Sequence, residues 1–203
     1  MGRNYAAHAA EMGNQIDREA PIYFTKSALS YLPTGMTSPY PPGTENYHYE
    51  VELVVAIGAP LFRATPAESA LGIFGYGLGL DMTRRDLQAR ATERRQPWDL
   101  AKDVEESAVL APLTRAQDIA DLDLKAIQLA LNGEIRQDGK LSDMVWSIPE
   151  LISRLSEFYH LAPGDVILTG TPAGIGPVHP GDHLIGTVDG LTPVTLTIGP
   201  AQT

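Results

Sequence analysis

The chain contains no cysteine. Disulfides, thiolate metal sites and cysteine nucleophiles are therefore excluded together. Basic residues are scarce: 15 Lys and Arg stand against 25 Asp and Glu, a formal charge of −10 over 203 residues. That balance argues against nucleic acid or an anionic membrane as partner, and an anionic substrate would need a local positive centre. No apolar run approaches the roughly 20 residues that cross a bilayer, and no secretory signal pattern is present. Internal repeats and low-complexity tracts are absent too. A cytoplasmic protein is expected, and the length suits a single domain, 1–203, around one core.

What the chain does have is punctuation: 19 Gly and 16 Pro break it into short segments. Strands are expected at 21–26, 47–57, 72–80, 166–169, 183–188 and 192–198. A hairpin of 125–132 and 134–137 is expected to turn at Asn132-Gly133 in type I′ geometry. Helices are expected at 4–12, with Asn4 as N-cap and Gly13 as stop, and at 83–96, where Thr83 and Asp86 resemble a capping box. A third, 147–159, carries Ile148, Leu151, Ile152, Leu155 and Phe158 at helical spacing, with Pro149 in its first turn. Residues 32–43 read as a Pro-rich loop and 97–112 as irregular. The fold class is mainly β with peripheral helices, α+β.

Three carboxylates stand out against this background. Glu50 and Glu52 lie two apart in an extended apolar run, so they share a face while Val51, Leu53 and Val55 take the other. Asp81 closes a second run, 72–80, just where a helix is expected. Converged, the three make an all-oxygen site suited to Mg²⁺ or Mn²⁺ rather than zinc or copper. The plainer alternative is the wet face of an amphipathic strand.

Other groups qualify for chemistry. His8 and Glu11 are three apart on the first helix, and a carboxylate-oriented imidazole is a general base. A solvent-exposed surface pair is the competing reading. Arg85 and Gln88 recur at the same spacing and would offer a guanidinium and an amide to a substrate carboxylate, unless they merely share a solvated helix face. Lys26 and Lys102 are isolated lysines beside irregular chain, and each taken alone reads as exposed and idle. The segment 169–177, with Thr169, Thr171 and three glycines, would surround an anionic group with N–H and hydroxyl donors. It lacks the lysine and spacing of a Walker loop, and a generic Gly-rich turn is the competing reading. His48, His160, His179 and His183 share no metal-ligand spacing.

Five motifs in register, Gly2 to Met12, Glu50-Val-Glu-Leu53, Gly79 to Gln88, Asn132 to Gln137 and Thr169 to Pro177, resemble the fumarylacetoacetate hydrolase family over nearly the whole chain, specifically its small bacterial acylpyruvases. The resemblance implies a mixed β-sandwich roll, commonly a homodimer, with 1–15 as a lid helix. It implies Glu50, Glu52 and Asp81 as ligands of Mg²⁺ or Mn²⁺. His8 and Glu11 become the catalytic dyad, with Lys102 beside them. Arg85, Gln88 and Thr171 become substrate-binding residues, and Lys26 a weaker one. The implied reaction is hydrolysis of a C–C bond in a 2,4-dioxo acid such as fumarylpyruvate, in aromatic catabolism. Oxaloacetate decarboxylation, isomerisation with decarboxylation of a heptadienedioate, and a non-catalytic binder on the same fold are the alternatives. The Lys102-Asp103-Val104 stretch departs from the family's usual Lys-(Gly/Ser)-Phe, which bears on substrate preference. A strand usual before Gly-Arg-Asn has no counterpart ahead of Met1, so either a shortened or misassigned start or a differently built sheet edge is expected there.

Overall fold

A computed structural model describes residues 1–13 and 18–201. Along the chain come α1 (Ala6–Glu11), β1 (Tyr31–Pro33), β2 (Met36–Tyr40), β3 (Tyr47–Tyr49), β4 (Val51–Ile57), α2 (Pro66–Leu71) and β5 (Ile73–Asp81). Next are β6 (Thr83–Arg84), α3 (Arg85–Glu93), α4 (Asp99–Lys102), β7 (Ala108–Leu110), β8 (Thr114–Arg115), β9 (Ala126–Leu131) and β10 (Glu134–Lys140). α5 (Ile148–Ser156), β11 (Val166–Leu168), β12 (Gly176–Pro177), β13 (His183–Val188) and β14 (Val194–Ala201) complete it.

Two larger sheets form the roll. One runs β1-β7-β5-β4-β11 with β8 joined to β5, and the other β10-β9-β13-β14-β2; β12-β3-β6 make a small third sheet. Pairing is mixed, with β1–β7 and β14–β2 parallel and the other pairs antiparallel. Between the two sheets lies one core, in which Leu53, Val55, Leu78 and Leu80 meet Ile127, Leu129, Leu184 and Leu196. The mainly β, α+β roll is the expected fold.

Elements with their own local signal fall where the sequence puts them. Asn132 and Gly133 both have positive φ, 53° and 85°, as a type I′ turn requires. α5 starts with Pro in its first turn and a Ser147/Glu150 capping box, and buries Ile148, Leu151 and Ile152. Phe158, counted in its stripe, lies beyond the helix and is exposed.

Several expectations are corrected. The 21–26 segment is not a strand: only Ile22 bridges, to Gly2. The 32–43 loop instead holds β2, which pairs in parallel with β14; Pro39 sits at that sheet's edge, next to a register shift, where a missing N–H is tolerated. The 97–112 stretch contains α4 and β7, the latter held between β1 and β5. Thr83 caps nothing: it lies in β6 and its hydroxyl donates to the Asp81 carbonyl, while Asp86 accepts from Thr44. Asn4 is not an N-cap either, since α1 starts after Tyr5 without a side-chain cap. The expected lid, 1–15, reaches residues 14 and 15, which lie outside the described residues.

Candidate active site

The ladder between β4 and β5 builds the acidic centre. Val51 pairs with Leu80, Glu52 with Gly79, and the Asp81 amide donates 2.9 Å to the Glu50 carbonyl. Strand alternation then places all three carboxylates together, with one oxygen from each within 4.8 Å of the others. They are no wet face: Glu50 is 4 %, Glu52 0 % and Asp81 1 % exposed.

Two lysines and an arginine hold this charge. Lys102 Nζ donates to Glu50 Oε2 at 2.6 Å, Asp81 Oδ2 at 2.8 Å and the Thr83 hydroxyl at 2.7 Å. Arg85 donates to both Glu50 and Gln88. Lys26 Nζ stands 3.0 Å from Asp81 Oδ1 and donates to the Ser107 hydroxyl at 2.6 Å and to the Lys102 carbonyl. The Lys26–Asp81 approach is an ion pair without hydrogen-bond direction, so Asp81 Oδ1 still lacks a donor. Glu52 Oε2 accepts from the Gly170 amide, and Glu52 Oε1 has no partner.

The fields on the two glutamates oppose each other. Burial disfavours ionised Glu50, but Lys102 and Arg85 outweigh it and hold its carboxyl well below the usual range. Burial, reinforced by Asp81 and Glu50 against the Met1 ammonium and Lys102, pushes Glu52 up to about 8. Burial likewise works against the charge on Lys102, yet Asp81 and Glu50 raise it; for Lys26 burial prevails and its value falls. Two buried carboxylate oxygens without donors, in an all-oxygen set, are what a hard divalent ion would satisfy.

α1 carries the second component. His8 Nδ1 lies 3.1 Å from Glu11 Oε2, and the Gly174 amide donates 3.0 Å to Glu11 Oε1. His8 is buried, and among the described residues only its Nδ1 is bonded, leaving Nε2 for another partner. A cavity of about 210 Å³ is lined by His8, Glu50, Arg85, Gln88, Lys102 and Thr171 among others. Glu52, Asp81 and Glu11 join it through those side chains, whereas Lys26 does not line it and is spent on protein partners. The described residues thus bring together every expected site residue, with Lys26 behind the wall rather than on it.

The family profile described as Fumarylacetoacetate (FAA) hydrolase C-terminal matches residues 1–199. The chain belongs to the fumarylacetoacetate hydrolase family. Within this family it is 46% identical to fumarylpyruvate hydrolase of Ralstonia sp over 193 residues, covering 94% of this chain and 100% of that one. It is 39% identical over 199 residues to the mitochondrial oxaloacetate tautomerase of Homo sapiens, covering 98% and 89%. The crystal structure of fumarylpyruvate hydrolase from Pseudomonas aeruginosa in complex with Mn²⁺ and pyruvate superposes with a TM-score of 0.93 at 42% identity, covering 98% of this chain and 87% of that chain. The named relatives are enzymes of more than one kind, hydrolase and tautomerase.

Other residues of this family member tie the site together without having stood out as chemical groups. Asn4 donates to the carbonyls of Trp146 at 3.1 Å and Thr169 at 2.8 Å and accepts from the Trp146 amide, fixing the start of α1 to the 169–177 loop. Gln137 donates 2.7 Å to the Thr171 hydroxyl and accepts 3.0 Å from the Val51 amide, between the two glutamates. Ser107 anchors Lys26. Asn4 and Gln137 both lie inside motifs of the family resemblance, which was the available signal.

Proposed function

We propose that the chain is a divalent-metal-dependent hydrolase that splits the C3–C4 bond of a 2,4-dioxo acid, converting fumarylpyruvate and water into fumarate and pyruvate. One observation carries this: a His8–Glu11 dyad and the buried Glu50–Glu52–Asp81 cluster serve the same small cavity. Glu50, Glu52 and Asp81 would hold Mg²⁺ or Mn²⁺, as the all-oxygen set and the Mn²⁺ complex of the Pseudomonas aeruginosa relative support. When bound, the ion supplies Lewis-acid polarisation and a sink for electron density.

The chain's own residues supply the rest. Glu11 fixes the His8 tautomer through Nδ1, leaving Nε2 to take a proton from the water that attacks the C4 carbonyl. Collapse of the tetrahedral adduct passes the C3–C4 electron pair to C3, which takes up the proton that His8 removed from water, giving pyruvate and restoring the neutral imidazole. Arg85, Lys102 and Thr171, held by Glu50, Asp81 and Gln137, orient the 2-oxo acid end, and Gln88 keeps Arg85 in place. Lys26 orients Asp81 and the Lys102 backbone. A pure binding role has no use for a base clamped by a carboxylate beside a buried carboxylate cluster.

A second reading draws support from the 39% identity to a human oxaloacetate tautomerase: His8 would then move a proton at C3 of oxaloacetate with no carbon–carbon bond broken. Decarboxylation of oxaloacetate and isomerisation of a heptadienedioate use the same groups. Purified protein with Mg²⁺ would be incubated in parallel with fumarylpyruvate, acetylpyruvate and oxaloacetate. Release of fumarate from fumarylpyruvate upholds the hydrolase; enol–keto exchange of oxaloacetate with fumarylpyruvate untouched transfers the site to the second reading. We place this activity in one catalytic domain, 1–203, with 1–15 as its lid, acting as a cytoplasmic homodimer in aromatic catabolism. The lack of cysteine supports that compartment, and among the described residues no helix is long and apolar enough to cross a membrane.

A further inference from the structure

We propose that Arg3 receives the far carboxylate of the substrate and so makes the site selective for acylpyruvates whose acyl group is itself an acid. This rests on the hydrolase reading and deepens it. The cavity wall leads from Lys102, whose Nζ is 4.8 Å from the Phe24 ring, to Trp98, 6.0 Å from Phe24, and on to Gly2, where a Cβ would stand 3.3 Å from Trp98. Arg3, beside Gly2, lines the same cavity. That stretch of wall is otherwise aromatic, and a carboxylate seated against it needs a charged donor of its own.

Cation accounting points to the same residue. Lys102 and Arg85 are fixed by Glu50, Asp81, Thr83 and Gln88 at the end of the cavity that takes the 2-oxo acid, and His8 is held by Glu11 as the base, so none of them is placed to meet the far carboxylate. Of the side-chain cations lining the cavity, Arg3 alone makes no ion pair or side-chain hydrogen bond to the described residues, while the Met1 ammonium beside it donates 3.2 Å to the Leu168 carbonyl. In a chain of net charge −10, a half-buried guanidinium with no partner among the described residues is a scarce resource.

The backbone fixes its place. Arg3 has φ 59°, in the left-handed region that non-glycine residues seldom adopt. Its neighbours impose this: the Gly2 amide donates 2.9 Å to the Ile22 carbonyl, and Asn4 is bonded to Trp146 and Thr169. A strained residue clamped on both sides is a preorganised one.

The test compares kcat/KM of wild type, Arg3→Gln and Arg3→Lys, loaded with Mg²⁺, on fumarylpyruvate and on acetylpyruvate, which lacks the far carboxylate. The expected result is a fall of roughly 10- to 100-fold in the fumarylpyruvate-to-acetylpyruvate ratio for Arg3→Gln, carried by KM, with part of it restored in Arg3→Lys. Equal losses on both substrates would assign Arg3 a merely structural role, and an unchanged ratio would also overturn the proposal. If the wild type cleaves neither substrate, the hydrolase reading fails on its own account. Calorimetric binding of fumarylpyruvate then still decides the matter: affinity lost in Arg3→Gln upholds the carboxylate contact, and affinity retained refutes it.

Discussion

Glu50 and Glu52, two positions apart, experience opposite fields, and the difference is a matter of neighbours. Glu50 meets two cations, whereas Glu52 receives only a backbone N–H and sits among carboxylates. A carboxyl raised to about 8 from 4.5 keeps its proton in the folded state over a range where the unfolded chain has lost it. Its contribution is therefore full below about pH 4.5 and is lost as pH rises towards about 8; Glu50, depressed, contributes above 4.5 and loses that contribution in acid. Thermal midpoints of EDTA-treated protein should fall across that interval because of Glu52. Glu52→Gln should flatten that decline, and an unaltered slope would remove the assignment. Mg²⁺ should raise the midpoint by mass action, more at pH 8 than at pH 6, since the proton must leave first. For the dyad, His8→Ala and Glu11→Gln should each lower kcat by roughly 10²-fold while Mg²⁺ affinity by calorimetry holds. Near-normal turnover in His8→Ala would rule out its role as base.

The short helix α1 is six residues long, too short to persist alone in water, and it owes its position to bonds at both ends. Asn4 fixes the start, and the Gly174 amide holds Glu11 at the end. Gly174 has φ 97°, and a Cβ there would stand 2.0 Å from the Arg136 carbonyl, beside the register shift of β10 that carries Gln137. Gly174→Ala should therefore cost more than 10-fold in kcat and lower the melting midpoint. Gly181→Ala is the control: φ is 96° but nothing lies within 4 Å, so it reads backbone strain alone. Equal effects in the two variants would dissolve the link from β10 through Gly174 to Glu11 and His8. This also marks what the sequence can tell. The β9–β10 turn, α5 and β13 carry their own local signals and lie where those signals put them. β2 and β7 exist because distant strands pair with them, and no window of residues reports that. The carboxylates were legible from alternation and strand end; Asn4 and Gln137 were not recognised as fasteners because their partners are backbone groups from other segments.

At the scale of the whole molecule, two features set expectations. Phe62, Leu71, Phe74, Phe158 and Tyr159 are exposed apolar side chains on or around α2 and α5, more than a lone chain usefully shows to water. Light scattering at micromolar concentration should give the mass of a homodimer, and charged substitutions at Phe62 and Phe74 should shift it towards monomer; a monomeric wild type would refute the expectation. The other feature is the parallel seam of β2 against β14, where Met36 lies opposite Leu196. Synthesis makes β2 early and its partner very late. A growing chain can pair β4 with β5 and neutralise Glu50 with Lys102 long before that seam closes. The Asn4 anchor on Thr169 must also wait for most of the polypeptide. On the ribosome, the nascent protein thus has the segments of its acidic cluster well before α1 can be anchored, and premature termination before residue 169 would yield fragments in which Asn4 has lost its Thr169 partner.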